Sequence, residues 1–309
     1  MAAKLFPLFA SILLILLPRL SYAISSGFKD EKSKPFEFLK HLHGYQKGQK
    51  VQGLSELKKY LQTFGYLKKY PQTQNATQMD FDDLLERAIK SYQLNYHLNS
   101  TGTLDSATVT KMMMPRCGAP DVNTGRMSKQ HNHGSNSSLH TVAHYSFFQG
   151  TPKWRDYKTH LTYAFLARAD ILGPPCARAF QKWASMTHFS FEEISSYNIA
   201  DIKISFQIGD HGDDLGPFDG PHGILAHAYA PEDGRLHFDG QDLWSMSPTP
   251  GAYDLETVAL HEIGHILGLD HSKVEDAIMY PILPFGEGKG VSSRGCYFSE
   301  RSSYQRSPY

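Results

Sequence analysis

The amino-acid sequence predicts an α+β fold in which a sheet domain with one long helix follows an all-α unit of three helices. Between about residues 51 and 115, apolar residues recur at three- and four-residue steps, the period of a buried helix face. From about residue 141 the pattern changes to short alternating segments typical of strands, interrupted by helical stretches. A chain of 309 residues has room for two such domains.

The N-terminal unit is predicted to contain three helices. Their apolar positions are Leu54, Leu57, Leu61 and Phe64 in the first, Leu84, Leu85, Ala88, Ile89 and Tyr92 in the second, and the segment from Thr103 to Met114, entered through Gly102, in the third. A small three-helix bundle without a ligand accounts for this pattern. Residues 123–138 are rich in Ser, Asn, Gly and His and have no apolar period, so we expect an exposed linker there.

The sheet domain is predicted to contain five strands and two helices. The strands are residues 160–166, 189–194, 202–208, 225–228 and 237–239. Apolar residues between Ala177 and Ala184 fit an amphipathic helix. The second helix runs from Asp254, its predicted N-cap, to Leu267.

This second helix carries residues that suit a metal site. His261 and His265 are four positions apart and therefore project from one helix face. Gly268 adopts a positive φ at little cost, so the chain can turn back and bring in His271 as a third ligand. Three protein ligands leave a fourth position for water, the pattern of a catalytic zinc. Glu262 lies beside the histidines, close enough to hold that water.

The long histidine motif resembles that of the matrix metalloproteinases (matrixins of the metzincin clan). Met279, in the segment 277–281, stands where that family places a methionine on a tight turn below the histidines. Residues 272–281 are most similar to the plant branch, and we expect no hemopexin domain. The resemblance covers about residues 51–281. It implies a metzincin catalytic domain, and a peptidoglycan-binding-like fold for the helical unit, which serves such enzymes as a propeptide.

The segment 115–121 resembles the cysteine switch of matrixin propeptides. The resemblance implies that the Cys117 thiolate occupies the open zinc position of the zymogen and excludes the water. It also implies that Arg116 and Asp121 pair and hold the loop, while Ala119 departs from the usual residue. The alternative is a buried or disulfide-bonded cysteine. The chain has only two others, Cys176 and Cys296, whose pairing the sequence leaves open.

The resemblance implies further metal sites. A second zinc, with a closed ligand set, would be bound by His211, Asp213, His227 and His237. A calcium ion would take side-chain oxygens from Asp219, Asp239 and Asp242 and carbonyl oxygens from Gly220, His222 and Ile224. Asp201 matches a ligand of another calcium site, but the partner loop, residues 230–236, is short and has Arg235 where an acid is common.

The activity implied by the resemblance is that of a zinc endopeptidase, made as a latent zymogen, which hydrolyses extracellular matrix proteins. A zinc-bound water would attack the peptide bond, with Glu262 as its general base. Leu225 and Ala226 lie on the strand that pairs with an extended substrate in the family, although ordinary sheet core explains them equally. Lys plus Arg and Asp plus Glu balance at 31 each, so the net charge provides no long-range electrostatic attraction to nucleic acid. We expect a monomer.

The N-terminus predicts secretion. Lys4, an apolar run over residues 5–17 and small residues up to Ala23 are typical of a cleaved signal peptide, and the run is short for a span of about 20 residues. We expect a signal peptide over 1–23, a propeptide over 24–140 and a catalytic domain over 141–290.

No apolar tail for a GPI anchor follows Pro281, so we expect no stable membrane anchor and a location in the extracellular space or cell wall. Asn75, Asn99 and Asn136 lie in glycosylation sequons.

Residues 291–309 are an atypical polar tail. The family has a final apolar helix in this region, and no such stripe is visible here. One alternative is therefore a catalytically weak or inactive metzincin-fold binding protein. Another is a zinc amidase that acts on cell-wall peptides, as the helical unit suggests, although the switch cysteine argues against it.

Overall fold

The computed structural model describes residues 34–68, 80–122, 146–283 and 285–286. Outside these residues lie the predicted signal peptide, the linker with its histidines His131 and His133, the sequons at Asn75 and Asn136, Cys296 and the polar tail. Within them, no helix is long and apolar enough to cross a membrane.

The helical unit contains a short 3-10 helix, Glu37–Leu42, and the three predicted α-helices. These are α1 (Leu54–Thr63), α2 (Asp83–Asn95) and α3 (Ser106–Met112). The predicted start of α3 was three residues early, because the Asp105 carboxylate accepts the amide hydrogen of Thr108 (2.8 Å) and caps the helix there. Leu84 was wrongly predicted to face the core. It is 38% exposed, since it lies beside the helix face that buries Leu85 and Ile89.

The second domain is built on a six-stranded mixed sheet in the order β1-β6-β7-β5-β3-β4. Its strands are β1 (Arg116–Cys117), β3 (His160–Phe165), β4 (Ser190–Glu193), β5 (Ile202–Gln207), β6 (Ile224–Ala228) and β7 (Arg235–Asp239). Only the β6–β7 pair is antiparallel. Two short pairs, β2 (Ser146–Phe147) with β10 (Leu269–Asp270) and β8 (Trp244–Ser245) with β9 (Tyr253–Asp254), complete the described strands.

Two helices, α4 (Ala169–Met186) and α5 (Leu255–Ile266), pack against each other in this domain, and Trp183 donates its indole N–H to the Leu260 carbonyl (3.0 Å). The α4 helix begins well before the predicted Ala177 and continues through Pro174 and Pro175. As predicted, α5 is capped by Asp254, whose carboxylate accepts the Thr257 amide hydrogen (3.0 Å). Gly268 has φ +97° and ends the helical turn.

Candidate metal centre

Three histidines and one cysteine converge on a single buried point. The ligating atoms of His261, His265, His271 and Cys117 all lie within 4.8 Å of one another. The helix α5 supplies the first two, as its four-residue spacing predicts, and the turn at Gly268 returns the chain with the third. Cys117 comes from β1, the edge strand of the six-stranded sheet.

A hydrogen bond at Nδ1 fixes the orientation of each imidazole. His261 Nδ1 lies 2.8 Å from the Ile278 carbonyl, and His265 Nδ1 lies 2.8 Å from the Leu269 carbonyl. Because a carbonyl only accepts, both rings carry their proton on Nδ1 and turn an unprotonated Nε2 inward. His271 Nδ1 lies 2.9 Å from a carboxylate oxygen of Asp121.

This donor set fits zinc. His271 Nε2 is buried without a hydrogen-bond partner, and burial, aided by His271, lowers the pKa of His265 to about 3. Neutral imidazoles are the form that binds metal. Burial also raises the pKa of the Cys117 thiol well above its usual range. A divalent cation among these atoms would favour the thiolate instead.

Met279 forms the floor below the histidines. A Cβ added to Gly264 would lie 2.3 Å from the Met279 sulfur, so only glycine permits this contact between α5 and the methionine turn. The backbone of that turn also carries the Ile278 carbonyl that orients His261. The segment therefore contributes both packing and hydrogen bonding to the site.

Glu262 is completely buried beside this donor set. Burial raises its pKa to about 8, and the nearby Cys117 thiol offsets only part of that shift. A carboxyl group with a pKa near neutrality is suited to accept and return a proton.

The switch segment fills a cleft between two stretches of backbone. On one side Gly118 N–H donates to the Ala226 carbonyl (2.8 Å), with β1 parallel to β6. On the other side Cys117 N–H donates to the Pro281 carbonyl (2.9 Å). The strand β6, which carries the predicted substrate-binding residues Leu225 and Ala226, thus pairs with an extended segment of the chain itself.

Arg116 and Asp121 pair as the resemblance implied, inside a cage that the sequence did not predict. Two Arg116 nitrogens lie 2.5 and 3.1 Å from the Asp121 oxygens, and both side chains are fully buried. The hydroxyls of Tyr66 (2.7 Å) and Tyr96 (2.9 Å) also donate to Asp121. The guanidinium carbon lies 3.5 Å from the centre of the Phe64 ring. Nothing in the local sequence links these aromatic residues to residues 116–121.

The four residues predicted for the second zinc also come together. One oxygen of Asp213 lies 2.8 Å from His211 Nε2, 2.8 Å from His227 Nε2 and 2.9 Å from His237 Nδ1. Burial opposes ionisation of Asp213, but hydrogen bonds from His227 and His237 lower its pKa overall. Burial lowers the pKa of His227 to about 4. Three imidazoles and one carboxylate around one point fit a closed, structural zinc.

We expect His227→Ala to destabilise the chain by about 3–5 kcal/mol, because it breaks this metal set and leaves the buried Asp213 charge poorly compensated. Calorimetry should show the loss, and a chelator should lower the melting temperature of the wild type but not of the variant. His160→Ala, which removes an exposed histidine, is the control. Equal melting temperatures for His227→Ala and wild type would contradict a structural metal here.

The residues predicted for calcium form a second buried acidic group. Burial raises the pKa of Asp219 to about 7 and that of Asp242 to about 8, and it raises the pKa of Asp239 as well. One oxygen of Asp239 and one of Asp242 have no hydrogen-bond partner. Buried carboxylates of this kind fit a hard cation, with the predicted carbonyl ligands Gly220, His222 and Ile224 following Asp219 in the chain. Calcium itself stays a prediction.

Asp201, the predicted ligand of another calcium site, is bound by protein groups rather than left unpaired. Lys158 forms an ion pair with its carboxylate, and the Thr162 amide donates to it (2.9 Å). Arg235 pairs with Asp233 through two nitrogens, at 2.7 and 2.9 Å. Asp201 thus has a basic partner, and the neighbouring loop carries the basic Arg235, so these residues do not fit a second calcium as they stand. That assignment also stays a prediction.

Two further predicted positions can be placed. Asn99 is exposed, as a glycosylation sequon requires. Cys176 is buried on α4, remote in sequence from the histidines, and forms no disulfide with another described cysteine. Its relation to Cys296 stays open.

Comparisons with known proteins agree with this geometry. Residues 153–292 match the family model described as Matrixin, and residues 50–112 match one described as a peptidoglycan binding domain. The chain is 44% identical over 251 residues to Metalloendoproteinase 1 of Glycine max, covering 78% of each chain. It is 43% identical to Metalloendoproteinase 5-MMP of Arabidopsis thaliana (85% of this chain, 74% of the relative) and 37% identical to Stromelysin-1 of Mus musculus (74% and 44%). The chain therefore belongs to the matrixin family and is a zinc-dependent metalloendopeptidase.

Proposed function

We propose that the chain is a secreted endopeptidase, made as a latent zymogen, that cleaves extended segments of extracellular matrix proteins. The observation that carries the proposal is the position of Cys117. Its sulfur lies 3.5 Å from His265 Nε2, inside the ring of zinc ligands. A thiolate there would take the position that the catalytic water needs.

The backbone contacts of β1 support the same proposal. The edge of β6 and the segment 281–283 each hydrogen-bond to the switch segment, and the two together form a slot for an extended chain. A substrate peptide would use the same main-chain groups once the propeptide has left. Cleavage in the predicted linker, residues 123–138, would release the propeptide.

The chemistry in the opened site would depend on Glu262. Bound zinc supplies a Lewis acid that polarises the scissile carbonyl and lowers the pKa of water. Glu262 accepts the proton of the attacking water and returns it to the leaving amine. His261, His265 and His271 hold the metal, and β6 aligns the peptide.

The test is metal analysis together with cleavage of a quenched peptide, before and after the helical unit is removed by limited proteolysis. We expect about two zinc ions per chain, one for each donor set. We expect peptide cleavage only after removal. A processed protein with full zinc content and no turnover would favour a binding module, whereas cleavage restricted to cell-wall peptides would favour an amidase. Secretion is tested separately, by recovery in the medium rather than in a detergent extract.

A further inference from the structure

We infer that Asp121 of the propeptide is a positioning residue for the catalytic zinc, because it orients His271 in the latent form only. The inference rests on the proposed latency and concerns its mechanism. It assigns to the propeptide a second contact with the metal site, besides the Cys117 thiol.

The three zinc histidines differ in where their orienting partner comes from. His261 and His265 each donate Nδ1–H to a carbonyl of the catalytic domain itself, that of Ile278 or Leu269. His271 instead faces Asp121, 150 residues earlier in the chain and on the propeptide side of the linker, at 2.9 Å. Removal of the propeptide therefore takes away the partner of one ligand and leaves the partners of the other two.

The carboxylate is held rigidly for this contact. Arg116 and the hydroxyls of Tyr66 and Tyr96 bind it, and the Asp121 amide donates to the Phe64 carbonyl (3.1 Å). Both side chains in the Asp121–His271 contact are almost fully buried. A carboxylate that accepts from a metal-binding imidazole fixes the ring and strengthens it as a ligand, and loss of such a partner typically costs about 10–100-fold in metal affinity.

This arrangement joins the two halves of the switch. Cys117 and Asp121 lie on one short segment, so the segment that blocks the fourth zinc position also steadies the third histidine. When this segment leaves, the fourth zinc position opens. At the same time His271 loses the Asp121 carboxylate as the partner of its Nδ1–H and faces solvent there instead. We expect the latent chain to hold zinc more tightly than the thiol contact alone explains.

The experiment compares Asp121→Asn with Tyr66→Phe in the full-length, zinc-loaded chain. Tyr66→Phe removes a different hydrogen bond to the same carboxylate and does not touch His271, so it controls for general loosening of the cage. Two quantities are measured: the rate of zinc transfer to a chelator, and the Nδ1–H resonances of the zinc histidines in protein labelled with nitrogen-15 at histidine.

We expect Asp121→Asn to shift one of the three Nδ1–H resonances and to accelerate zinc transfer by about 10–100-fold. Tyr66→Phe should change neither. The inference is overturned if Asp121→Asn leaves either quantity at its wild-type value, or if Tyr66→Phe reproduces both changes. Failure of the proposed function would look different: no peptide cleavage after propeptide removal, whatever the resonances do.

Discussion

Replacing Glu262 by alanine is expected to reduce peptide cleavage by the processed enzyme by about 10²–10⁴-fold, the usual contribution of general acid–base catalysis. Glu262 is buried beside the zinc ligands, and the donor group that the described residues form around this point contains no other carboxylate that could replace it as the base. Zinc content should stay unchanged, because the ligand atoms belong to the three histidines. Initial rates with a quenched peptide provide the measurement.

Two further variants separate chemistry from folding. Glu262→Gln keeps the shape of the side chain without the basic oxygen, so it should be as inactive as the alanine variant. Glu256→Gln is a matched change on the same helix, where Glu256 pairs with Arg178 and Lys182. It should retain activity. If Glu262→Ala kept turnover within tenfold of wild type, another residue would have to be the base.

The second large effect is expected for Cys117→Ser, which should be active without processing. Its hydroxyl is not ionised at neutral pH and is a poor zinc ligand, so water can enter the fourth position. If the thiolate favours the closed state by about 3 kcal/mol, under about 1% of the wild type is open, and the variant gains about 100-fold in activity. The rate of peptide cleavage by the unprocessed chain measures this gain.

Cys176→Ser is the control for this experiment. Cys176 is also a buried cysteine, but it lies on α4 and is not part of the zinc donor set. The Cys176→Ser variant should remain latent, and a mercurial that captures thiols should activate it as it does the wild type. Wild type and Cys117→Ser with equal activity before processing would show that the thiol does not control access.

Local sequence pattern was sufficient for the catalytic helix. Its apolar period, the N-cap at Asp254, the four-residue spacing of His261 and His265 and the stop at Gly268 are all present in the structure. Each depends on residues within about one helical turn of one another, and the chemistry of such short segments can be read directly. The positions of Cys117 and of the second zinc set came from the family resemblance, because their spacing alone indicates no metal.

Interactions between distant residues needed the tertiary structure. Asp121 reaches His271 across 150 residues, and Cys117 reaches His265 across 148. The residue pattern near 116–121 did not indicate that Tyr66 and Tyr96 would bind Asp121. Likewise, the sequence around Asp201 did not indicate that Lys158 would pair with it. Leu84 has a helical apolar spacing and is nevertheless exposed. Sequence periodicity determined which segments form helices and strands, since those depend on neighbours along the chain. Which buried charges meet was decided by the packing of those segments. A buried charge without a partner is too costly to persist, so only a packing that brings its partner from a distant segment is stable.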